Sequence, residues 1–138
     1  MDYRIAGRVI IPEDRGKKIL LVEQVPEENF WIIPGGGVEE GETSTQAAIR
    51  ELSEETGLEV ELVRFLWCSE DYSPKSNQLS MDLIYLGLES VVSLDRASTG
   101  RASSIYRHLH KKPDIHVENS GSCWRHISQI PIRWGLLY

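Results

Sequence analysis

Glu51, Glu54 and Glu55 stand at i, i+3 and i+4 of a segment with helical character, so their carboxylates project from neighbouring turns of one face. Like charges at that spacing cost a bare helix roughly 0.2–0.5 kcal/mol per pair, a cost that an adjacent cation removes. Carboxylate oxygens are hard donors suited to Mg²⁺ or Mn²⁺, and Mg²⁺ is usually held by a few carboxylates together with substrate phosphate and water. No cluster of thiolates and histidines is present to favour zinc. Most acidic runs are solvated helix faces, and Glu39, Glu40, Glu59 and Glu61 are read that way. The other three differ because a glycine loop, a helix cap and the spacing agree around them.

The elements that must position these acids are legible on either side. Phe30–Ile33 is a short aromatic and β-branched run of the strand type. Pro34 and Gly35, Gly36 and Gly37 then predict a turn. Thr43 with Gln46 three residues later forms a capping box, so a helix is predicted to begin at Ser44. Gly57 suits the left-handed residue that closes a helix, which predicts an end near Thr56 with Leu58 packing back on the last turn. Ala48, Ile49 and Leu52 would give that helix an apolar flank to bury.

Gly36, Glu42 after five residues, Arg50 after seven more, then Glu51, Glu54, Glu55, Gly57 and Leu58 form one array over residues 36–58. This array resembles the Nudix box, complete and without a substitution. A chance match at a given start is on the order of one in 10⁸ at average residue usage. The resemblance implies an α/β (α+β) fold, an α/β/α sandwich with a mixed sheet. It implies hydrolysis of a diphosphate linked to another group X, most often in a nucleotide, with Mg²⁺ or Mn²⁺ as cofactor. It also implies that Glu51, Glu54, Glu55 and the backbone carbonyl of Gly35 ligate the metal. Glu42 and Arg50 would be an ion pair that holds the loop and helix together, placing the ligands without touching the ion. Either Glu51 or Glu54 would be the general base. Glu118, ahead of Trp124, is a candidate outlying acid from a late loop.

The remaining sequence bounds these expectations. At 138 residues with 41% hydrophobic content, the chain reads as one domain, 1–138. Its amino terminus lacks a basic and apolar leader and no run approaches membrane-spanning length, so a soluble cytoplasmic protein is expected. Cys68 and Cys123 form no Cys-x-x-Cys pair and are expected as buried free thiols without function. A net charge of -6 argues against duplex nucleic acid and for a small phosphorylated substrate, although eight acids in residues 39–61 against Arg50 alone account for more than that deficit. A homodimer is common in the family that the box resembles.

Strands are predicted near Tyr3–Ile11, Ile19–Gln24, Phe30–Ile33, Val60–Ser69, Leu79–Glu89 and Cys123–Ile127. Pro26–Asn29 reads as an early hairpin turn, and Trp31, Trp67 and Trp124 as core. Tyr72, in a predicted loop over Glu70–Pro74, could stack on a base. Relatives commonly continue beyond the Trp124–Pro131 stretch into a second packing helix, so either that helix is short here or the chain was cut. Residues 91–117 depart from the family pattern as a long, locally basic insertion, read chiefly as a solvated surface segment. Its Arg96, Arg101, Arg107, Lys111 and Lys112 could also steer a phosphate towards the acids. Two other readings compete with the hydrolase. A module that senses a nucleotide or ADP-ribose would keep the fold but usually loses box carboxylates, which this chain retains. An isoprenoid diphosphate isomerase needs a catalytic cysteine and metal-binding histidines, which Cys68 alone does not supply.

Overall fold

Strands form where aliphatic and β-branched residues run together, and β1 (Asp2–Ile10) becomes the wall between two cores. The structure is a computed structural model that describes residues 1–13, 18–25, 30–90 and 105–108. One sheet has the order β5–β1–β7–β6, with β5 at Gly35–Gly37, β6 at Val60–Ser73 and β7 at Gln78–Glu89. β1 runs parallel to β7 and antiparallel to β5, so the sheet is mixed. Parallel neighbours require a long crossover, and the segment between them supplies three strands of a second sheet and helix α1 (Ser44–Thr56). That second sheet holds β2 (Pro12–Glu13), β3 (Lys18–Val25), β4 (Phe30–Ile32) and β8 (Ile105–His108), with β2, β4 and β8 all antiparallel to β3.

Alternation along β1 sends successive side chains to opposite faces. Val9, with Ile11 and Leu20, packs against Ala48, Leu52, Leu58 and Tyr85 on the helix side. Ile10 packs on the other face with Ile19, Leu21, Trp31, Ile33 and Ile84, and Trp67 covers the edge of that cluster. Each fully buried aliphatic or aromatic side chain contributes about 1.5–3 kcal/mol, so both faces hold β1 firmly.

The helix begins and ends where its caps predict. Thr43 Oγ1 accepts the Gln46 N–H, Gln46 Oε1 accepts the Thr43 N–H at 2.8 Å, and Gly57 at φ 73° donates its N–H to the Ser53 carbonyl. Its buried face differs from expectation, because Ala47 joins Ala48 and Leu52 while Ile49 stays 40% exposed. The cause is the closeness of the helix to β1: a Cβ on Gly7 would lie 2.0 Å from the Ser44 carbonyl oxygen and 3.0 Å from the Ala48 nitrogen. Small residues are required on both sides of that contact. Gly7→Ala is therefore expected to lower stability by about 1–3 kcal/mol, the cost of overpacking against backbone that must shift. Chemical denaturation should show a lower midpoint with an unchanged slope.

Three further expectations are revised. Gly35–Gly37 forms strand β5 and not only a turn, because glycine alone can lie this close to β1: at Gly35, φ is +148° and a Cβ would fall 2.3 Å from the Gly7 carbonyl oxygen. β6 continues through Tyr72 to Ser73, where a loop was expected, because β7 offers partners down to the Ser73–Gln78 pair and the turn closes only at Asn77, φ 49°. Ile105–His108, expected within an insertion, is strand β8, pairing with β3 from Leu21–Ile105 to Lys18–His108. Residues 91–104 and 109–117, the turn Pro26–Asn29, Glu118, Cys123, Trp124 and the strand expected at Cys123–Ile127 lie outside the described residues. Among the described residues there is one helix, and it is not long and apolar enough to cross a membrane.

Candidate metal and catalytic site

The helix and β5 meet at Arg50, which gathers the acids of the box. Its Nε donates to Glu42 Oε1 at 2.8 Å and its Nη2 to Glu42 Oε2 at 2.9 Å, a two-pronged bond in which both planar groups fix each other. Nη2 also donates to the Gly37 carbonyl at 3.0 Å, while Nη1 donates to Glu51 Oε1 at 2.8 Å and to Glu54 Oε2 at 3.4 Å. The expected Glu42–Arg50 pair is thus present and extended. One guanidinium ties the loop before the helix, the end of β5 and two helix acids together. The hydrogen bonds from Arg50 hold the Glu42 carboxyl down at about 2. The same bonds, with Glu51, push the Arg50 guanidinium further up.

Glu55 has the opposite environment. Burial pushes its carboxyl up to about 7, against a hydrogen bond from the Gly35 backbone that favours the charged form, and the neighbouring Glu51 raises it further. Its Oε2 is buried and has no hydrogen-bond partner. A buried carboxylate oxygen without a donor is costly unless a proton or a cation satisfies it.

The Glu51 carboxylate lies flat against β5, where a Cβ on Gly36 would come within 2.3 Å of its Cδ. The glycine makes room for the acid. Gly36→Ala should displace this carboxylate at little cost in stability; on the expectation that Glu51 is a metal ligand, kcat should fall by about 10–100-fold, the range seen when metal ligands lose their supports. Thermal melting and steady-state kinetics on one preparation would check both halves.

The three acids share a face of α1, but they do not close on a point. Among the described residues, no group of three histidine, cysteine, aspartate or glutamate side chains is placed to hold a metal ion as the side chains stand. Arg50 draws Glu51 and Glu54 aside, and Glu55 turns to Gly35. The donor set still suits a hard divalent ion, since it consists of carboxylate oxygens and includes the orphaned Glu55 Oε2.

The NUDIX domain family model matches residues 2–105, three quarters of the chain. The chain belongs to the Nudix family. An RNA pyrophosphohydrolase of Dinoroseobacter shibae is 35% identical over 80 residues, 54% of this chain and 50% of that protein. A dihydroneopterin triphosphate diphosphatase of Escherichia coli K12 is 40% identical over 52 residues, 38% of this chain and 35% of that protein. The match therefore spans about half, or less, of these curated relatives. In fold, this Nudix domain is similar to a MutT NUDIX hydrolase from Burkholderia pseudomallei, with a TM-score of 0.66, 22% identity, and coverage of 94% of this chain and 99% of the other.

Two residues near the Nudix box escaped the sequence reading. Arg8 on β1 and Asp82 on β7 form a buried pair, Nε to Oδ2 at 2.8 Å, and Arg8 Nη1 donates to the Ile33 carbonyl at 3.0 Å. A signal existed, for Arg8 interrupts an otherwise apolar Ile5–Ile11 run. Other candidates stand apart from the site. Cys68 is exposed, where a buried thiol was expected, because it lies on the sheet-edge strand β6, and desolvation with nearby Glu70 and Asp82 pushes the thiol up, away from thiolate reactivity. Tyr72 is 50% exposed at the far end of the β6–β7 hairpin, its hydroxyl donating to Asn77 Oδ1 at 3.0 Å.

Proposed function

We propose that this Nudix chain hydrolyses the diphosphate linkage of a nucleoside diphosphate joined to another group X, using Mg²⁺ or Mn²⁺ held by Glu51, Glu54, Glu55 and the Gly35 carbonyl. The observation that carries the reading is the buried, unpartnered Glu55 Oε2 beside two more acids of the same helix face, within a complete box. A divalent ion bound there would neutralise diphosphate oxygens and lower the pKa of a coordinated water.

The chain's own residues divide the rest of the work. Arg50 and Glu42 lock the loop to the helix, so the acids start from fixed backbone positions. Glu51 is engaged by Arg50 at 2.8 Å, whereas Glu54 meets it only at 3.4 Å with a side chain 60% exposed. Glu54 is therefore the freer of the two to accept a proton from the attacking water. The relatives' names, RNA pyrophosphohydrolase and dihydroneopterin triphosphate diphosphatase, support a substrate with a phosphoanhydride. The net charge of -6 favours a small one whose metal offsets part of the repulsion.

Hydrolysis in ¹⁸O-labelled water, followed by ³¹P NMR, tests the reaction class. A single ¹⁸O in one phosphoryl product, formed only with Mg²⁺ or Mn²⁺, is expected. Cleavage without ¹⁸O at phosphorus, or equal cleavage in chelator, would contradict it.

A further inference from the structure

The glycine strand β5 carries no side chain of its own to anchor it, yet on the reading above it must present Gly35 to the metal and to Glu55. Glycine loses the most freedom on ordering, so a run of three needs its position imposed from outside. Three contacts with β1 impose it. Arg8 Nη1 holds the Ile33 carbonyl at 3.0 Å, the Val9 N–H holds the Pro34 carbonyl at 3.0 Å, and the sheet register pairs Arg8 with Gly35. The first of these depends on a long side chain with many rotamers. Asp82, reaching from β7, removes that freedom by accepting Arg8 Nε at 2.8 Å, and both side chains are only 9% exposed. Gly35 in turn donates its backbone N–H to Glu55.

We infer that Asp82 is a positioning residue for the metal site: through Arg8 it fixes the Ile33–Gly35 segment, and so the bond from Gly35 to Glu55. The inference rests on the proposed roles of Gly35 and Glu55. It gives a task to a buried charge on β7, outside the box. Arg50 holds the box from its helix side, and the Arg8–Asp82 pair holds it from the sheet side.

Asp82→Asn, close to isosteric, tests this with two readouts. In the metal-free protein, amide hydrogen exchange at Gly35 should accelerate by about tenfold or more while Leu86, in the buried centre of β7, changes by less than about twofold. Mn²⁺ affinity should fall by about 10–100-fold, and kcat should fall with KM little changed. Equal acceleration at Gly35 and Leu86 would mean a general loss of stability and would overturn the inference, as would a raised KM with Mn²⁺ affinity intact, the mark of direct substrate contact. Unchanged Gly35 exchange in Asp82→Asn, with wild-type protein binding Mn²⁺, overturns the inference alone. Wild-type protein that binds no Mn²⁺ overturns the proposed function as well. Should Asp82→Asn fail to fold, Arg8→Lys keeps a partner for Asp82 but cannot span both contacts, and the same pattern must appear in it.

Discussion

Glu54→Gln is expected to lower kcat by about 10³-fold or more while the protein stays folded. The side chain is 60% exposed and its bond from Arg50 is a long 3.4 Å contact, so the amide costs the fold little. Function is another matter, since an amide is a far weaker ligand for a hard cation and cannot take a proton from water. Losing several kcal/mol of charge stabilisation in the transition state gives a factor of this size, at about 1.4 kcal/mol per tenfold. Circular dichroism and thermal melting should match the wild type, and full activity in a folded variant would remove Glu54 from the ligand set.

The second large effect is on pH. Glu55 is raised to about 7 in the folded, metal-free protein from an ordinary value near 4.5. A carboxyl raised on folding stabilises the native state only when protonated. That contribution is complete below about 4.5 and is lost as pH climbs through about 7. A metal held by Glu55, as proposed, needs the same group deprotonated, so Mn²⁺ affinity should rise by about tenfold per pH unit up to about 7 and then level off. Glu42 has the opposite sign, its carboxyl held near 2, so the contribution of its bond to Arg50 is present above about 4.5 and disappears only as pH falls towards 2. Calorimetric titration of Mn²⁺ between pH 5 and 8 checks the first statement, using Glu55→Gln as a control whose pH slope should flatten.

Local signals were the legible ones. Thr43, Gln46 and Gly57 act within a few residues of themselves, so both helix ends could be read directly from the chain. The Glu42–Arg50 pair was legible for a different reason, its spacing within the Nudix box. The further bonds of Arg50 to Glu51, Glu54 and the Gly37 carbonyl depend on where β5 lies, which spacing does not specify. The pairing of Gly35–Gly37 with β1 joins residues nearly thirty positions apart, and nothing in a glycine run announces a strand. The Arg8–Asp82 pair spans 74 positions and was missed altogether, although a charge inside an apolar strand is a cue that something buried must answer it. Ile49 was misplaced because helical periodicity cannot report how closely a helix approaches its sheet, which here depends on Gly7.

The claim that the helix carboxylates carry a metal-dependent diphosphate hydrolysis is tested most directly by one comparison. Product release from a panel of nucleoside diphosphate derivatives, with Mg²⁺ or Mn²⁺, would be measured for the wild type and for Glu54→Gln and Glu55→Gln. Metal-dependent turnover of at least one derivative, lost in both folded variants, is the predicted result and would name the group X. A folded wild type that binds a nucleotide but turns over none of the panel, or variants as active as the wild type, would contradict it.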